Sequence, residues 1–184
     1  MTEKKIIRTP LTDKVIGGLK AGDLVYLSGR VYTARDAAHQ RLVTMIKAGQ
    51  RPPFDFAGQI VYYAGPCPAK PGQIIGPVGP TTSGRMDAFS PLLIDLGLKA
   101  MIGKGSRSQA VVEAIVRNQG VYLAAIGGAA ALMSQCVRQV ELIAFEDLGT
   151  EAIRRLTLEM MPVVVAIDGQ GRDVYRRTPC QVRR

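Results

Sequence analysis

The chain has 184 residues, of which 47% are hydrophobic and 20 are glycine, and its formal net charge is +9. This length and composition predict a single domain over residues 1–184 that needs no disulfide or metal ion for stability, and they exclude a disordered chain. Most of the excess positive charge lies in residues 1–10 and 172–184 and only 5% of the residues are aromatic, so we expect no nucleic-acid-binding surface.

The first part of the chain is predicted to contain short helices and strands. The N-terminal segment Met1–Pro10 is charged and lacks the apolar core of a signal peptide. The hydrophobic pattern after it predicts five elements in chain order. These are a helical turn over Asp13–Leu19, a strand over Asp23–Val31, a helix from Thr33 to about Lys47, and strands over Gln59–Ala64 and Gln73–Ile75.

The rest of the chain alternates helices and strands more regularly, which predicts an α/β fold with a mixed sheet and flanking helices. The longest apolar run, Val121–Met133, is shorter than the ~20 residues that span a bilayer, so we expect no membrane segment and a cytoplasmic location. In chain order the predicted elements are a helix over Met86–Leu96 that breaks near Ser90-Pro91, a strand over Ala100–Ile102, a helix over Gln109–Asn118, a strand over Val121–Ile126, a helix over Ala129–Gln135, a strand over Val140–Ala144, a helix over Glu151–Leu158, a strand over Pro162–Ile167 and a hairpin turn over Asp168–Gly171.

Three cysteines, Cys67, Cys136 and Cys180, are spread along the chain. An odd number without a close pair argues against a disulfide framework. It also argues against a zinc or iron–sulfur site built by this chain alone, because such sites usually show paired C-x2-C spacing. We therefore predict that the chain binds no metal by itself.

Three segments each place glycine, hydroxyl side chains and a cation near a predicted helix start, where unpaired N–H groups and the helix dipole favour an anion. In the first, Thr33 and Asp36 have the spacing of a capping box, which puts Arg35 in the first turn. A cation there opposes the helix dipole. Either an anion bridges Arg35 and the helix end, or Arg35 pairs with a nearby carboxylate, and the sequence leaves both open. We interpret Asp36 and His39 as residues that orient their neighbours.

The second segment, Gly79–Asp87, contains three consecutive hydroxyl residues between glycines, followed by an arginine. It lacks the Gly-Lys-Ser/Thr ending of a phosphate-binding P-loop. A helix cap needs one hydroxyl group, so three hydroxyl groups and a fixed cation favour a ligand-binding loop. Its three hydroxyl residues are Thr81, Thr82 and Ser83, and its cation is Arg85.

The third segment, Gly103–Ser108, lies between a predicted strand and a predicted helix, where α/β sheets place ligands. Ser106 and Gln109 have capping-box spacing, and Lys104 is a point cation suited to a carboxylate. Taken alone, a solvated basic loop explains this segment better than a binding site. Together with Arg35 and Arg85, however, Lys104 completes a set of cations that could hold a dicarboxylate, because arginine binds a carboxylate through a bidentate fork.

These segments resemble a known family: the β subunit of class I fumarate hydratase and L-tartrate dehydratase, which also forms the C-terminal domain of single-chain class I fumarases. The resemblance covers nearly the whole chain, and the run Gly-Pro-Thr-Thr-Ser-Gly-Arg-Met-Asp is its most specific part. The segments that carry it are Thr33–His39, Gly65–Cys67, Gly79–Asp87, Gly103–Gly105, Gly127–Ala131 and Phe145–Ala152.

The resemblance implies a "swivelling" β/β/α fold and a hydro-lyase that adds water reversibly to fumarate, giving malate. It also implies a partner α subunit that holds a 4Fe–4S cluster through three cysteines, an α2β2 heterotetramer, and an active site at the α/β interface, so that this chain alone is inactive. Carried over by position, Arg35, Thr82, Arg85 and Lys104 bind the substrate, and Thr81 is the candidate catalytic base.

Three alternatives to fumarate hydration stay open. L-tartrate dehydratase differs only by an additional substrate hydroxyl group, and much of the pocket that would distinguish the two belongs to the partner. A free-standing anion-binding module would bind a dicarboxylate without any partner. A nucleic-acid-associated protein would use the arginine-rich C-terminal tail and would lose its affinity at high salt.

Overall fold

The computed structural model describes residues 5–125 and 128–176 of the chain. These residues form seven strands, five α-helices and three short 3-10 helices. The strands are β1 (Lys5–Arg8), β2 (Leu24–Thr33), β3 (Ile60–Tyr62), β4 (Ala100–Gly103), β5 (Val121–Ala124), β6 (Val137–Ala144) and β7 (Ile153–Ile167). The α-helices are α1 (Asp13–Gly17), α2 (Asp36–Lys47), α3 (Ser90–Asp95), α4 (Gln109–Arg117) and α5 (Ala130–Gln135), and the 3-10 helices are Ser83–Met86, Glu146–Glu151 and Val174–Arg176.

The strands form one mixed sheet in the order β1-β2-β3-β4-β5-β7-β6, and an additional pairing of β2 with β7 closes it into a barrel-like ring. Neighbouring strands from β1 to β5 are parallel, whereas β7 runs antiparallel to β2, β5 and β6. The predicted α/β class, with a mixed sheet and flanking helices, is confirmed.

The core has two parts because successive side chains of a strand point to opposite faces. On β4, Ala100 and Ile102 belong to a cluster of buried side chains. This cluster contains residues from one face of each strand of the closed ring, which are β2, β3, β4, β5 and β7. Met101, between them, belongs to a second cluster that includes Leu42 of α2 and Leu93 of α3. The helices α2, α3 and α4 therefore cover one face of the sheet, and the loops that precede them lie at the carboxyl ends of β2, β3 and β4.

The helix predicted over Glu151–Leu158 is wrong, because residues 153–158 form the first part of the long strand β7. The apolar alternation of β7 changes phase: Leu156 and Leu158 are buried before residue 160, and Met161 is buried after it. At the change Met160 has a positive φ of 53°, and the pairing with β2 shifts by one residue. This β-bulge interrupts the period-two pattern that would identify residues 153–167 as one strand.

Three smaller predictions also differ from the structure. Thr33 ends β2, and α2 begins only at Asp36. Ser108, not Ser106, caps α4, and its side chain accepts a hydrogen bond from Val111 N. Gln73–Ile75 forms turns and bends instead of a strand. The break near Pro91 is confirmed, since α3 starts at residue 90 with proline in its first turn.

Candidate active site

The ends of β2, β3 and β4 form a continuous edge through backbone hydrogen bonds. Ala34 N donates to Tyr62 O (3.2 Å), and Tyr63 N donates to Ile102 O (2.8 Å). Residues 34, 63 and 103 thus lie side by side where the three parallel strands end. Loops at this edge of an α/β sheet are the usual place for a ligand.

Backbone hydrogen bonds also place the hydroxyl-rich loop on this edge. Thr81 N donates to Tyr63 O (2.7 Å), Lys104 N donates to Thr81 O (3.2 Å), and Ser83 N donates to Lys104 O (2.9 Å). Thr82 and Lys104 form a parallel bridge, and both are exposed. The second and third predicted segments are therefore neighbours, as a shared site requires.

This close approach depends on Gly103. A Cβ atom at that position would lie 1.9 Å from Ser83 Oγ and 3.0 Å from Tyr63 Cδ2. Tyr122 supports the same contact, because its hydroxyl group lies 2.9 Å from Ser83 Oγ and donates to Gly105 O at 2.9 Å. Burial raises the pKa of Tyr122, which keeps the phenol protonated as a donor.

A buried ion pair that sequence reasoning missed holds the two loops together. Arg107 has a side chain that is 0% exposed, and its Nε lies 2.6 Å from Asp87 Oδ1. The other carboxylate oxygen of Asp87 accepts from Ser108 N (2.6 Å), and Arg107 NH2 donates to Ser90 Oγ (2.7 Å). The guanidinium group also lies over the ring of Tyr122, 5.0 Å from its centroid. The available signal was the pair of opposite charges in two loops already expected to converge.

Arg35 is the N-cap residue of α2 but makes no side-chain cap hydrogen bond. Its NH2 group lies 2.8 Å from Glu151 Oε1, and Glu151 Oε2 accepts from Ala37 N (2.8 Å). Of the two interpretations left open by the sequence, the structure shows the pairing of Arg35 with a nearby carboxylate. The predicted capping box is absent: Thr33 Oγ1 accepts from Arg154 N at 3.1 Å instead.

Asp36 joins Arg35 to the second loop. Its Oδ2 atom lies 2.8 Å from Arg85 NH2 and 4.0 Å from Arg35 Nε. Two guanidinium groups therefore meet at one carboxylate oxygen, although they come from segments 50 residues apart in the sequence. The Arg85 side chain remains 55% exposed, so it can also bind an external anion.

His39 is fully buried next to these groups, and its ring packs edge-on against Tyr63 at 5.2 Å between centroids. Burial lowers the pKa of His39 to about 4; the contact of Nδ1 with Arg35 O (3.0 Å) raises it, and nearby Arg107 lowers it further. Neutral His39 therefore donates from Nδ1 to the Arg35 carbonyl. Nε2 has no hydrogen-bond partner among the residues that the structure describes. This arrangement suits a residue that orients the start of α2.

The residues in the two described ranges hold no group of three or more histidine, cysteine or carboxylate side chains that could bind a metal ion. Cys67 is exposed and Cys136 is half-buried, while Cys180 and residues 177–184 of the basic tail lie outside the described part. An iron–sulfur cluster therefore does not fit the described side chains of this chain. Likewise, no helix in the described ranges is both long and apolar enough to cross a membrane.

A groove of about 370 Å³ lies beside the cationic residues but does not contain them. It is mainly apolar, and its lining includes Pro66, Ile75, Val140 and Thr150. None of the five predicted binding and catalytic residues lines it. Arg85 and Lys104 instead lie on an exposed surface, where water would weaken their electrostatic effect on a reaction, whereas Arg35 is only 25% exposed.

The chain matches the family model described as Fumarase C-terminus over residues 2–178. It is 39% identical over 171 residues to a protein of Methanocaldococcus jannaschii provisionally named L(+)-tartrate dehydratase subunit beta, covering 90% of this chain and 88% of that one. It is 38% identical over 153 residues to the anaerobic class I fumarate hydratase of Escherichia coli K12 and 39% identical over 153 residues to the mitochondrial fumarate hydratase 1 of Leishmania major. Each match covers 82% of this chain but only 28% of the relative.

The family match spans almost the whole chain, and the relatives are named as hydro-lyases or their subunits. The chain therefore spans nearly all of a β-type subunit but little more than a quarter of the fumarate hydratases. On this evidence the chain belongs to the fumarase C-terminus family, whose members here are class I fumarate hydratases and a β-type subunit of L-tartrate dehydratase.

Proposed function

We propose that this chain, as a single domain, is the β subunit of an iron–sulfur-dependent hydro-lyase that hydrates fumarate reversibly to L-malate. The observation that carries the proposal is the pair of arginines, Arg35 and Arg85, that meet at Asp36 beside the exposed bridge between Thr82 and Lys104. A C4 dicarboxylate has two carboxylates to bind, and this edge offers two guanidinium groups and an ammonium group. A guanidinium group can bind a carboxylate through two parallel hydrogen bonds, and the ammonium group adds a point charge.

The chemistry requires stabilisation of negative charge next to a carboxylate. In the dehydration direction a proton leaves the carbon beside one carboxylate, and the electron pair moves toward that carboxylate. Arg85 and Lys104 would stabilise this charge electrostatically, while Arg35 would bind the other carboxylate. Their removal should therefore lower kcat/KM as well as substrate affinity.

Thr81 is the proposed acceptor of that proton. In the structure its hydroxyl group donates to Tyr63 O at 2.9 Å, an interaction that holds the oxygen in place but stabilises the protonated form. To act as the base, Thr81 must first lose its own hydroxyl proton to water, and the resulting alkoxide must be stabilised by a nearby cation, for which Lys104 and Arg85 are the candidates.

We further propose that a partner α subunit encloses the site and carries a 4Fe–4S cluster, in a cytoplasmic α2β2 assembly in which this chain forms a swivelling β/β/α domain. Arg85, Thr82 and Lys104 are exposed, which supports the idea that a second protein surface covers them. The identification of that surface as an α subunit comes from the family resemblance. When bound by the partner, the cluster would provide Lewis-acid chemistry at the substrate hydroxyl group. The residues of this chain would bind, orient and exchange a proton with the substrate.

The second candidate reaction is dehydration of L-tartrate. It is favoured by the match to the β-type tartrate dehydratase subunit, which the chain covers along 88% of its length. Identity does not separate the two substrates, since the fumarate hydratases match equally well. The binding residues of this chain would serve both reactions, because both substrates carry two carboxylates.

The test is anaerobic co-expression of this chain with a candidate α-type subunit, followed by assays of fumarate and L-tartrate in parallel. We expect activity only in the mixture and at least a hundredfold loss in Arg85→Ala, as typical for removal of a group that stabilises developing charge (~10²-fold). Arg117→Ala is the matched control, because Arg117 is also 55% exposed and pairs with an aspartate at 2.7 Å. Absence of association and of activity on both substrates would reject the proposal and favour a free-standing anion-binding module.

A further inference from the structure

Glu151 is a further charged residue beside this edge, and the proposed reaction does not use it. It ends the 3-10 helix that precedes β7. One carboxylate oxygen bonds Arg35 NH2 and the other bonds Ala37 N, both at 2.8 Å. The side chains of Arg35 and Glu151 are only 25% and 19% exposed, so the bridge is largely shielded from water.

The bridge resolves an electrostatic conflict at the start of α2. A cation at a helix N-terminus is disfavoured by the helix dipole, whereas a carboxylate there is favoured. Glu151 lies between the unpaired amide of the first turn and the Arg35 guanidinium group, and it interacts favourably with both. The carboxylate beside Arg35 is thus supplied by the chain itself, which is one of the two interpretations that the sequence left open.

Packing confines Arg35 from a second direction. A Cβ atom on Gly65 would lie 2.8 Å from Arg35 NH1, so the guanidinium group rests directly against this backbone. Glu151 uses only the NH2 group, and Arg35 Nε has no hydrogen-bond partner among the described residues. The guanidinium group is therefore held in place, with Nε buried, while the side chain as a whole remains 25% exposed to an external carboxylate.

We propose that Glu151 is a positioning residue that fixes Arg35 for binding a substrate carboxylate. The identity of that substrate rests on the proposed function, whereas the immobilisation of Arg35 does not. The opposite role, in which Glu151 occupies the position of the substrate carboxylate and must be displaced, predicts the opposite sign. Removal of the Glu151 charge would then strengthen substrate binding.

Glu151→Gln in the assembled enzyme is the kinetic test. We expect KM for the dicarboxylate to rise about tenfold, because one charge-assisted hydrogen bond is lost and the neutral amide holds Arg35 less firmly. We expect kcat to change by less than about threefold, since the reacting groups are untouched. Glu151→Asp keeps the charge, but its side chain is too short to reach both partners. Its KM should therefore lie between the KM of the wild type and that of Glu151→Gln.

Asp147→Asn is the matched control for a purely structural effect. Asp147 lies in the same 3-10 helix and forms a bidentate pair with Arg41 of α2, with both distances 2.7 Å, so it joins the same two elements. We expect no change in KM for this variant. An equal rise in KM in Asp147→Asn, or an unchanged or lower KM in Glu151→Gln, would overturn the proposal.

The second readout does not need enzymatic activity. The Arg35 Nε–Hε resonance of the ¹⁵N-labelled full chain can be identified by its loss in Arg35→Lys. We expect a sharp, slowly exchanging signal that broadens or disappears in Glu151→Gln and persists in Asp147→Asn. An unchanged signal in Glu151→Gln would reject the positioning role, whereas inactivity of the wild-type complex on both substrates would reject only the proposed function.

Discussion

Asp87→Asn should destabilise the fold strongly, because it removes the charge that compensates the buried Arg107 guanidinium group. The Arg107 side chain is 0% exposed and the Asp87 side chain is 16% exposed. Removal of one partner from a buried pair typically costs about 3–5 kcal/mol. Asparagine also cannot accept at both positions, so the hydrogen bond from Ser108 N or the one from Arg107 Nε is lost.

We expect a loss near the lower limit, about 3 kcal/mol, because Asp87 retains some contact with water and asparagine keeps one acceptor. Arg107→Met should cost less, about 1–2 kcal/mol. It leaves Asp87 bound to Ser108 N and leaves Ser90 hydrogen-bonded to the Tyr63 hydroxyl group at 2.9 Å. The order of the two variants is therefore the decisive result.

Thermal and urea unfolding of the full chain measure these losses. For a chain of this size about 3 kcal/mol lowers Tm by roughly 6–12 °C. Asp95→Asn is the control, since Asp95 forms an exposed pair with Arg117 (side chains 44% and 55% exposed) and should change stability by less than about 1 kcal/mol. An equal loss in Asp95→Asn, or a larger loss in Arg107→Met than in Asp87→Asn, would refute the reasoning.

Three further predictions follow from the same edge of the sheet. Gly103→Ala should lower the free energy of unfolding by about 1–3 kcal/mol and lower activity at least tenfold, because its Cβ would displace Ser83 and the adjoining Thr81. Gly17→Ala is the control and should change neither stability nor activity, because no atom lies within 4 Å of the added Cβ. Unfolding curves measure the stability and hydratase assays measure the activity. Thr81→Ala should abolish hydration in the assembled enzyme while Thr81→Ser retains part of it, and full activity in Thr81→Ala would exclude its proton-transfer role. His39 has a folded pKa of about 4, below its unfolded value near 6.5, so the unfolded chain binds the proton first and stability falls as the pH drops through this range. The loss between pH 7.5 and 5.5 should be about 1.4 kcal/mol and absent in His39→Gln, since the chain has a single histidine.

Sequence alone identified the residue types of the candidate site. Hydroxyl groups, glycines and cations at the ends of predicted strands are local signals, and parallel strands bring such ends to one edge. The structure places Thr81, Thr82 and Lys104 side by side on that edge and joins Arg35 to Arg85 through Asp36. Their catalytic and binding roles stay predictions.

Tertiary structure decided the features that depend on residues distant in sequence. Glu151 lies 116 positions from Arg35, so no local pattern indicates that its carboxylate completes the start of α2. The partnership of Asp87 with Arg107 likewise exists only because two loops converge. The first half of β7 is a strand because it is hydrogen-bonded to β2 on one edge and β6 on the other. Local sequence determined which residues could form the site, whereas long-range strand pairing and buried ion pairs determined which of them meet, because those contacts form only when the chain closes its sheet.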